Sequence, residues 1–265
     1  MASTESISLI LGTIGTVLWC VQLIPQIIFN HRRKSTEGLP QLMIFLWLVA
    51  GVLFAMYFIT LRPNVALEIQ PVIFTFLTFV TWGQCLYYGN KFSIAKVATY
   101  LTVTAVIATG LQVAAVFPIR NSAVFKSNPT STCWPLLLIG VLAAIALAVG
   151  LVPPYFDLAK RQGQVVGINF IFLAIDSTGA VFSFASLLVQ KETGQQPDYL
   201  GMVLYLIVPA LEIGIVVSHF VWWIRIGRRQ DAVKKLEKKF IDDADVERDP
   251  DRTSLAVTAS EKSEA

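Results

Sequence analysis

The stretch LIPQIIFNHRRKSTEGLP, residues 23–40, runs from an apolar segment through a Pro-Gln pair into a burst of positive charge, and then into Gly and Pro. A proline inside a helix removes a backbone donor and crowds the preceding turn, so the helix bends and leaves a carbonyl in need of a partner. Gln26 supplies both amide donors and an acceptor beside it. Pro25 and Gln26 therefore read as a hinge whose freed groups face polar surroundings and not lipid.

The solvent around that hinge follows from composition. Of 265 residues, 55% are hydrophobic and only 15% are charged, with a mean hydropathy of +0.63, which is too apolar for one water-soluble core. Windows of about twenty apolar residues, the length that crosses a bilayer, lie near 7–29, 41–61, 69–89, 95–118, 133–157, 167–189 and 200–224. The expected fold is an all-α polytopic membrane protein with seven transmembrane helices. The first window lacks a basic n-region and a small-residue cleavage site, so it reads as a retained span.

Lys and Arg mark the cytosolic side of a membrane protein. Arg32, Arg33, Lys34, Lys91, Lys96, Lys160, Arg161, Arg225, Arg228 and Arg229 follow the odd-numbered spans, whereas Arg62, Arg120, Lys126 and Lys191 follow the even-numbered ones. This contrast places the N-terminus outside or in a lumen and the C-terminus in the cytosol. The cluster at 32–34 is thereby explained by topology and by contact with anionic headgroups. It lacks the Gly-rich cradle of a nucleotide site.

A shift of 129 residues lays the chain upon itself. Pro25 falls on Pro154, Arg32 on Arg161, Gly38 on Gly167, and AGVLF from Ala50 on GAVFS from Gly179. The expected organisation is 3+1+3, two parallel three-helix repeats joined by an inverting helix. The first repeat covers 1–90, the fourth helix and a luminal loop 91–130, the second repeat 131–226, and a largely disordered cytosolic tail 227–265.

With these residues in view, IPQIIFNHRRKSTEGLP resembles the first signature of the PQ-loop family, which includes cystinosin and the vacuolar or lysosomal cationic amino acid exporters. VPPYFDLAKRQGQVVGINFIFLAIDSTGAVFS, from Val152, resembles the second signature, with Tyr155 standing where the family carries Gln. The resemblance covers about residues 7 to 226. It implies a vacuolar or lysosomal membrane protein whose hinges are Pro25 and the Pro153-Pro154 pair. Trp47 leads into LVAGVLFAMY, with no carboxylate or amide where the cationic branch carries Gly-Asp and Asn, which weakens the cationic assignment.

Ionisable groups deep in a membrane are costly and by default functional. Asp176, about ten residues into the sixth span, and Glu212, in the middle of the seventh, have no Lys or Arg at matching depth. Such carboxyls can take up and release protons, and Asp176 also matches the acidic residue of the family's D-x-x-G stretch, where the resemblance implies proton coupling. Asp157 and Glu68 lie closer to span ends. Gln26, Gln84, Tyr155, Asn169 and Ser177 are the candidates for lining a substrate cavity. Thr178, Gly179 and Ser183 are expected to serve helix packing, and Tyr87 and Tyr88 to anchor at the interface.

Other chemistries are not supported. Cys20, Cys85 and Cys133 form no CxxC spacing, His31 and His219 no ligand pair, and no P-loop, nucleophile elbow or zincin motif occurs. No enzyme, metal, cofactor or nucleic acid is expected. The expected partners are the lipid bilayer, protons and a small-molecule solute, and the expected function is export of a polar solute, foremost an amino acid, from an acidic organelle by proton-coupled alternating access. A ligand-sensing receptor or scaffold of the same architecture and a pH-independent facilitated carrier are the alternatives.

Overall fold

The structure, a computed structural model, describes residues 4–62, 65–192 and 199–230, together with 232–233, 235–238 and 241. Of the tail 227–265 anticipated as largely disordered, residues 228–230, 232–233, 235–238 and 241 are helical, and 231, 234, 239–240 and 242–265 lie outside the described residues. Among the described residues every regular element is helical.

Helix α1 (Thr4–Val21) stops at Gln22 and α2 (Leu23–Arg33) resumes beyond it. The cause is Pro25, which has no N–H to offer the carbonyl four residues earlier, on Val21, so the ladder is interrupted there. After α3 (Gln41–Leu61), α4 (Val65–Gln84) ends in a π-helical turn at Cys85–Gly89. Then follow α5 (Ile94–Asn121) and the short α6 (Ala123–Ser127). Helix α7 (Trp134–Gly150) stops at Leu151 before α8 (Val152–Lys160), with Pro154 again four residues beyond the last helical residue. Helices α9 (Phe170–Glu192) and α10 (Tyr199–Trp222) complete the set.

Among the described residues, seven segments are long and apolar enough to cross a membrane: Ser6–Arg33, Gln41–Leu61, Glu68–Gly89, Ile94–Asn121, Trp134–Lys160, Phe170–Val189 and Tyr205–Lys238. Thr60, Thr75, Thr78 and Thr81 turn their hydroxyls onto carbonyls four residues back, which satisfies them within their own helices as an apolar solvent requires.

The chain forms two compact units, Met1–Ser218 and His219–Ala265. In the first, α1 packs along α9, and α3 lies between α7 and α4. Its core gathers Leu23, Met43, Ile44, Trp47, Phe172, Leu173 and Ile215. The α3–α7 and α1–α9 contacts are each keyed by an indole seated on a glycine. Trp47 Nε1 donates to the Leu147 carbonyl (3.1 Å) beside Gly150, and Trp19 Nε1 donates to the Asp176 carbonyl (3.2 Å) beside Gly179. A side chain at Gly150 or Gly179 would occupy the space of the ring. Helix α5 is almost wholly unburied, as a helix facing lipid would be. In the second unit a π-helical turn, Trp223–Gly227, follows a stacked His219–Trp222 pair, and Arg228 lies over the Trp223 ring.

Several landmarks recur at the spacing found in the sequence. The helix breaks fall at Gln22 and Leu151 (151 − 22 = 129), and α3 and α9 begin directly after Pro40 and Asn169 (169 − 40 = 129).

Candidate functional site

Gln22, Gln26 and Asn30 follow one another at four-residue spacing, which lines them up along one helical face through the α1–α2 break. All three are buried. In an apolar span, each amide must find its partner inside the protein, and each finds a different one.

Gln26, with no exposed surface, bridges to the loop after α8. Its Nε2 donates to the Gly167 carbonyl (2.9 Å) and to Asn30 Oδ1 (2.8 Å), while its Oε1 accepts from the Asn169 backbone N–H (2.7 Å). Asn169 Nδ2 donates to the Pro25 carbonyl (3.3 Å), and Asn169 Oδ1 caps α9 by accepting from the Ile171 N–H (2.8 Å). Asn30 Nδ2 extends the chain to Gln84 Oε1 (3.0 Å), and Gln84 Nε2 returns to the Ile27 carbonyl (3.0 Å). Three of the residues expected around a cavity, Gln26, Gln84 and Asn169, thus belong to one hydrogen-bonded cluster. Asn30 joins them; the sequence carried its signal in the four-residue spacing of amides.

The loops themselves meet at Gly38 and Gly167. Gly38 has φ +79, a conformation open to glycine, and a Cβ there would fall 2.7 Å from the Gly167 nitrogen. A Cβ at Gly167 would strike the backbone of Glu37, Gly38 and Leu39. Arg33 Nη1 donates to the Val166 carbonyl (3.0 Å), and an exposed ion pair joins Arg161 Nη2 to Glu37 Oε1 (3.1 Å).

A second cluster surrounds the acids. Asp176 on α9 is 4% exposed and Glu212 on α10 is 0% exposed. Gln22, with its amide nitrogen turned toward the acid, donates to Asp176 Oδ1 (2.6 Å) and Oδ2 (3.0 Å). Ser177 Oγ donates to Glu212 Oε2 (2.6 Å). Because Ser177 directly follows Asp176, this bond ties Glu212 to the same turn of α9 that carries the other acid. Among the described residues, Glu212 Oε1 has no donor and no lysine or arginine pairs with either acid.

Tyr155 occupies the position that corresponds to Gln26, yet its phenol hydroxyl donates to the Leu211 carbonyl, next to Glu212, and rests against Gly214. Pro153 and Pro154 sit in the first turn of α8. Asp157 is half-buried there, and Glu68 is half-buried on α4. Ser183 and Gly179 serve the α1–α9 contact, which Ser8 and Ser186 continue through Ser8 Oγ to the Ser186 carbonyl (3.1 Å) and Ser186 Oγ to the Ser8 carbonyl (2.8 Å). Thr178 bonds within its own helix to Ala174. No group of three metal-ligating side chains occurs among the described residues.

Comparison with known proteins adds three relatives and one family. The profile of the PQ loop repeat matches residues 7–67. An uncharacterized membrane protein of Saccharomyces cerevisiae, YDR090C, is 40% identical over 260 residues, covering 96% of this chain and 81% of the relative. An uncharacterized protein of Schizosaccharomyces pombe is 38% identical over 215 residues, 81% of this chain and 72% of the relative. The vacuolar lysine transporter YPQ1 of S. cerevisiae is 33% identical over 87 residues, 33% of this chain and 28% of its own.

Proposed function

The chain belongs to the PQ-loop repeat family, and we propose that it moves a small polar solute, an amino acid, out of an acidic organelle together with protons. The observation that carries this reading is the pair of buried acids, Asp176 held by Gln22 and Glu212 held by Ser177, the residue after Asp176, with one Glu212 oxygen left open. Two bare carboxylates linked through one neighbouring side chain, in a medium poor in water, would repel each other. A proton held between them removes the repulsion and supplies the donor that Glu212 Oε1 lacks.

In this reading the three-helix units 1–90 and 131–226 rock about Pro25 and the Pro153-Pro154 pair, with 91–130 as the inverting connection. The N-terminus faces the lumen of a vacuole or lysosome and the C-terminus the cytosol, as the Lys and Arg asymmetry favours. The Gln26–Gly167–Asn169 bonds then hold the cytosolic ends of the units together, and opening toward the cytosol requires breaking them. Protons drive the cycle only through different affinities for the two conformations, so the acid pair must change its surroundings when the units part. The partial similarity to a vacuolar lysine transporter supports an amino acid as the solute.

The test is uptake of radiolabelled amino acids into proteoliposomes of the purified protein, with and without an acid gradient, beside Asp176→Asn and Glu212→Gln. Gradient-stimulated flux of one amino acid, lost in both variants, is the expected result. Flux indifferent to pH and to both substitutions would overturn proton coupling and favour a facilitated carrier. Saturable binding without flux would instead identify a ligand-sensing receptor.

A further inference from the structure

At the end of the bundle that carries Lys34, a pocket of about 560 Å3 is lined by Lys34, Tyr87, Tyr88, Lys91 and Phe92. It belongs to neither cluster described above. Two lysines and two tyrosines are among its lining residues, and no acidic residue is. Among the described residues neither lysine has a carboxylate partner, since the ion pair there joins Arg161 to Glu37. Positive charge gathered without a counter-charge is held against its own repulsion, which an anion relieves.

The neighbours fix this arrangement. Lys34 Nζ lies 3.1 Å from His31 Nε2 and over the Tyr88 ring, and the Tyr88 hydroxyl lies 3.1 Å from His31 Nδ1. Phe92 stacks on Tyr100, and the Lys96 ammonium stands 3.8 Å from the Phe92 ring centre, which brings a third cation to the edge. The level in the membrane is also set. Tyr87 and Tyr88 close the segment Glu68–Gly89, and Ile94, 73% exposed, opens the lipid-facing α5. The pocket therefore lies where the hydrocarbon gives way to headgroups, beside a helix that lipid acyl chains would contact.

We propose that this pocket binds the phosphorylated polyol headgroup of an anionic membrane lipid, with Lys34 and Lys91 on the phosphate and Tyr87 and Tyr88 donating to its oxygens or to the polyol. Compact ammonium charges suit phosphate, phenols can donate to it, and the volume exceeds that of one phosphate but suits a sugar-sized group that bears one. The lipid source is favoured over a soluble phosphate because the pocket opens at the membrane border, where a headgroup arrives already concentrated.

Native mass spectrometry of the full chain in detergent micelles tests this directly, since it depends on neither transport nor orientation. The probes are phosphatidylinositol phosphate, phosphatidylserine, phosphatidylcholine and, separately, soluble inositol phosphate. The double variant Lys34→Gln/Lys91→Gln removes both charges from exposed positions, and Lys126→Gln, beyond α5 at the other end of that span, serves as control. The expected result is preferential retention of phosphatidylinositol phosphate, reduced on the order of tenfold in the double variant and unchanged in the control. Tyr88→Phe should give a smaller loss. Equal retention of phosphatidylserine and phosphatidylinositol phosphate, or no effect of the double variant, would overturn the site. Equally tight, variant-sensitive binding of soluble inositol phosphate would overturn the lipid assignment and leave a soluble phosphate as the ligand.

Discussion

The two helix breaks, at Gln22 and at Leu151, arise from the same cause and are repaired differently. Beyond the first, Gln26 is fully buried and reaches across to Gly167 and Asn169, more than 140 residues away in sequence. Beyond the second, Tyr155 is only partly buried and bonds to Leu211, on the helix that carries Glu212. One break is thus stitched to the loop after α8 and the other to α10. A proline sets where a helix yields, but the following side chain decides what the break is tied to, and an amide with two donors and an acceptor ties more than a single hydroxyl can.

The largest effect that could break this comparison comes from Gly167→Val. Its new side chain collides with the backbone of residues 37–39, which cannot rotate away as a side chain would. A loss of about 3 kcal/mol is expected, read as a lowered thermal midpoint in detergent. An unchanged midpoint would show that the two loops do not depend on this contact.

The middle-sized test compares the two side chains themselves. Gln26→Leu leaves the Gly167 carbonyl, the Asn169 N–H and Asn30 Oδ1 without these bonds, at about 2–4 kcal/mol together, because buried groups stranded without partners bear their full desolvation. Tyr155→Phe removes one bond and should lose about 1 kcal/mol. Equal losses, measured by denaturation of both variants under the same conditions, would erase the asymmetry.

The smallest effect sharpens where the stitching resides. Glu37→Gln dissolves an ion pair whose side chains are 34% and 66% exposed, so its loss should stay within about 0.5 kcal/mol. A drop comparable to that of Gln26→Leu would move the weight of the loop contact from the buried amides to the surface charges.

Much of the frame was legible. The seven apolar windows correspond to the seven candidate spans, and the bend at Pro25 is a real interruption. The borders differ for a physical reason: the first span runs on to Arg33 and the fourth to Asn121, past the apolar windows, because backbone geometry and not hydropathy ends a helix. Lys34 and Arg62 close α2 and α3 in left-handed conformations (φ 50 and 52), a signal no apolar count contains. Of the site residues, Asp176 and Glu212 stood out because a lone acid in an apolar run is rare. Gln22 and Asn30 did not, since an amide is tolerated in many settings and only their common face gives them away.

By itself the sequence determined the solvent of this chain, its seven crossings and the places where its helices yield, because hydropathy and proline act on their own segment wherever it sits. Only the tertiary structure decided that Gln22 serves Asp176, that Gln26 serves Gly167 and Asn169, and that Ser177, beside Asp176, serves Glu212. Those pairings join residues from distant parts of the chain, and which of several available amides or acids meet is settled by how indoles on α1 and α3 seat against glycines on α9 and α7.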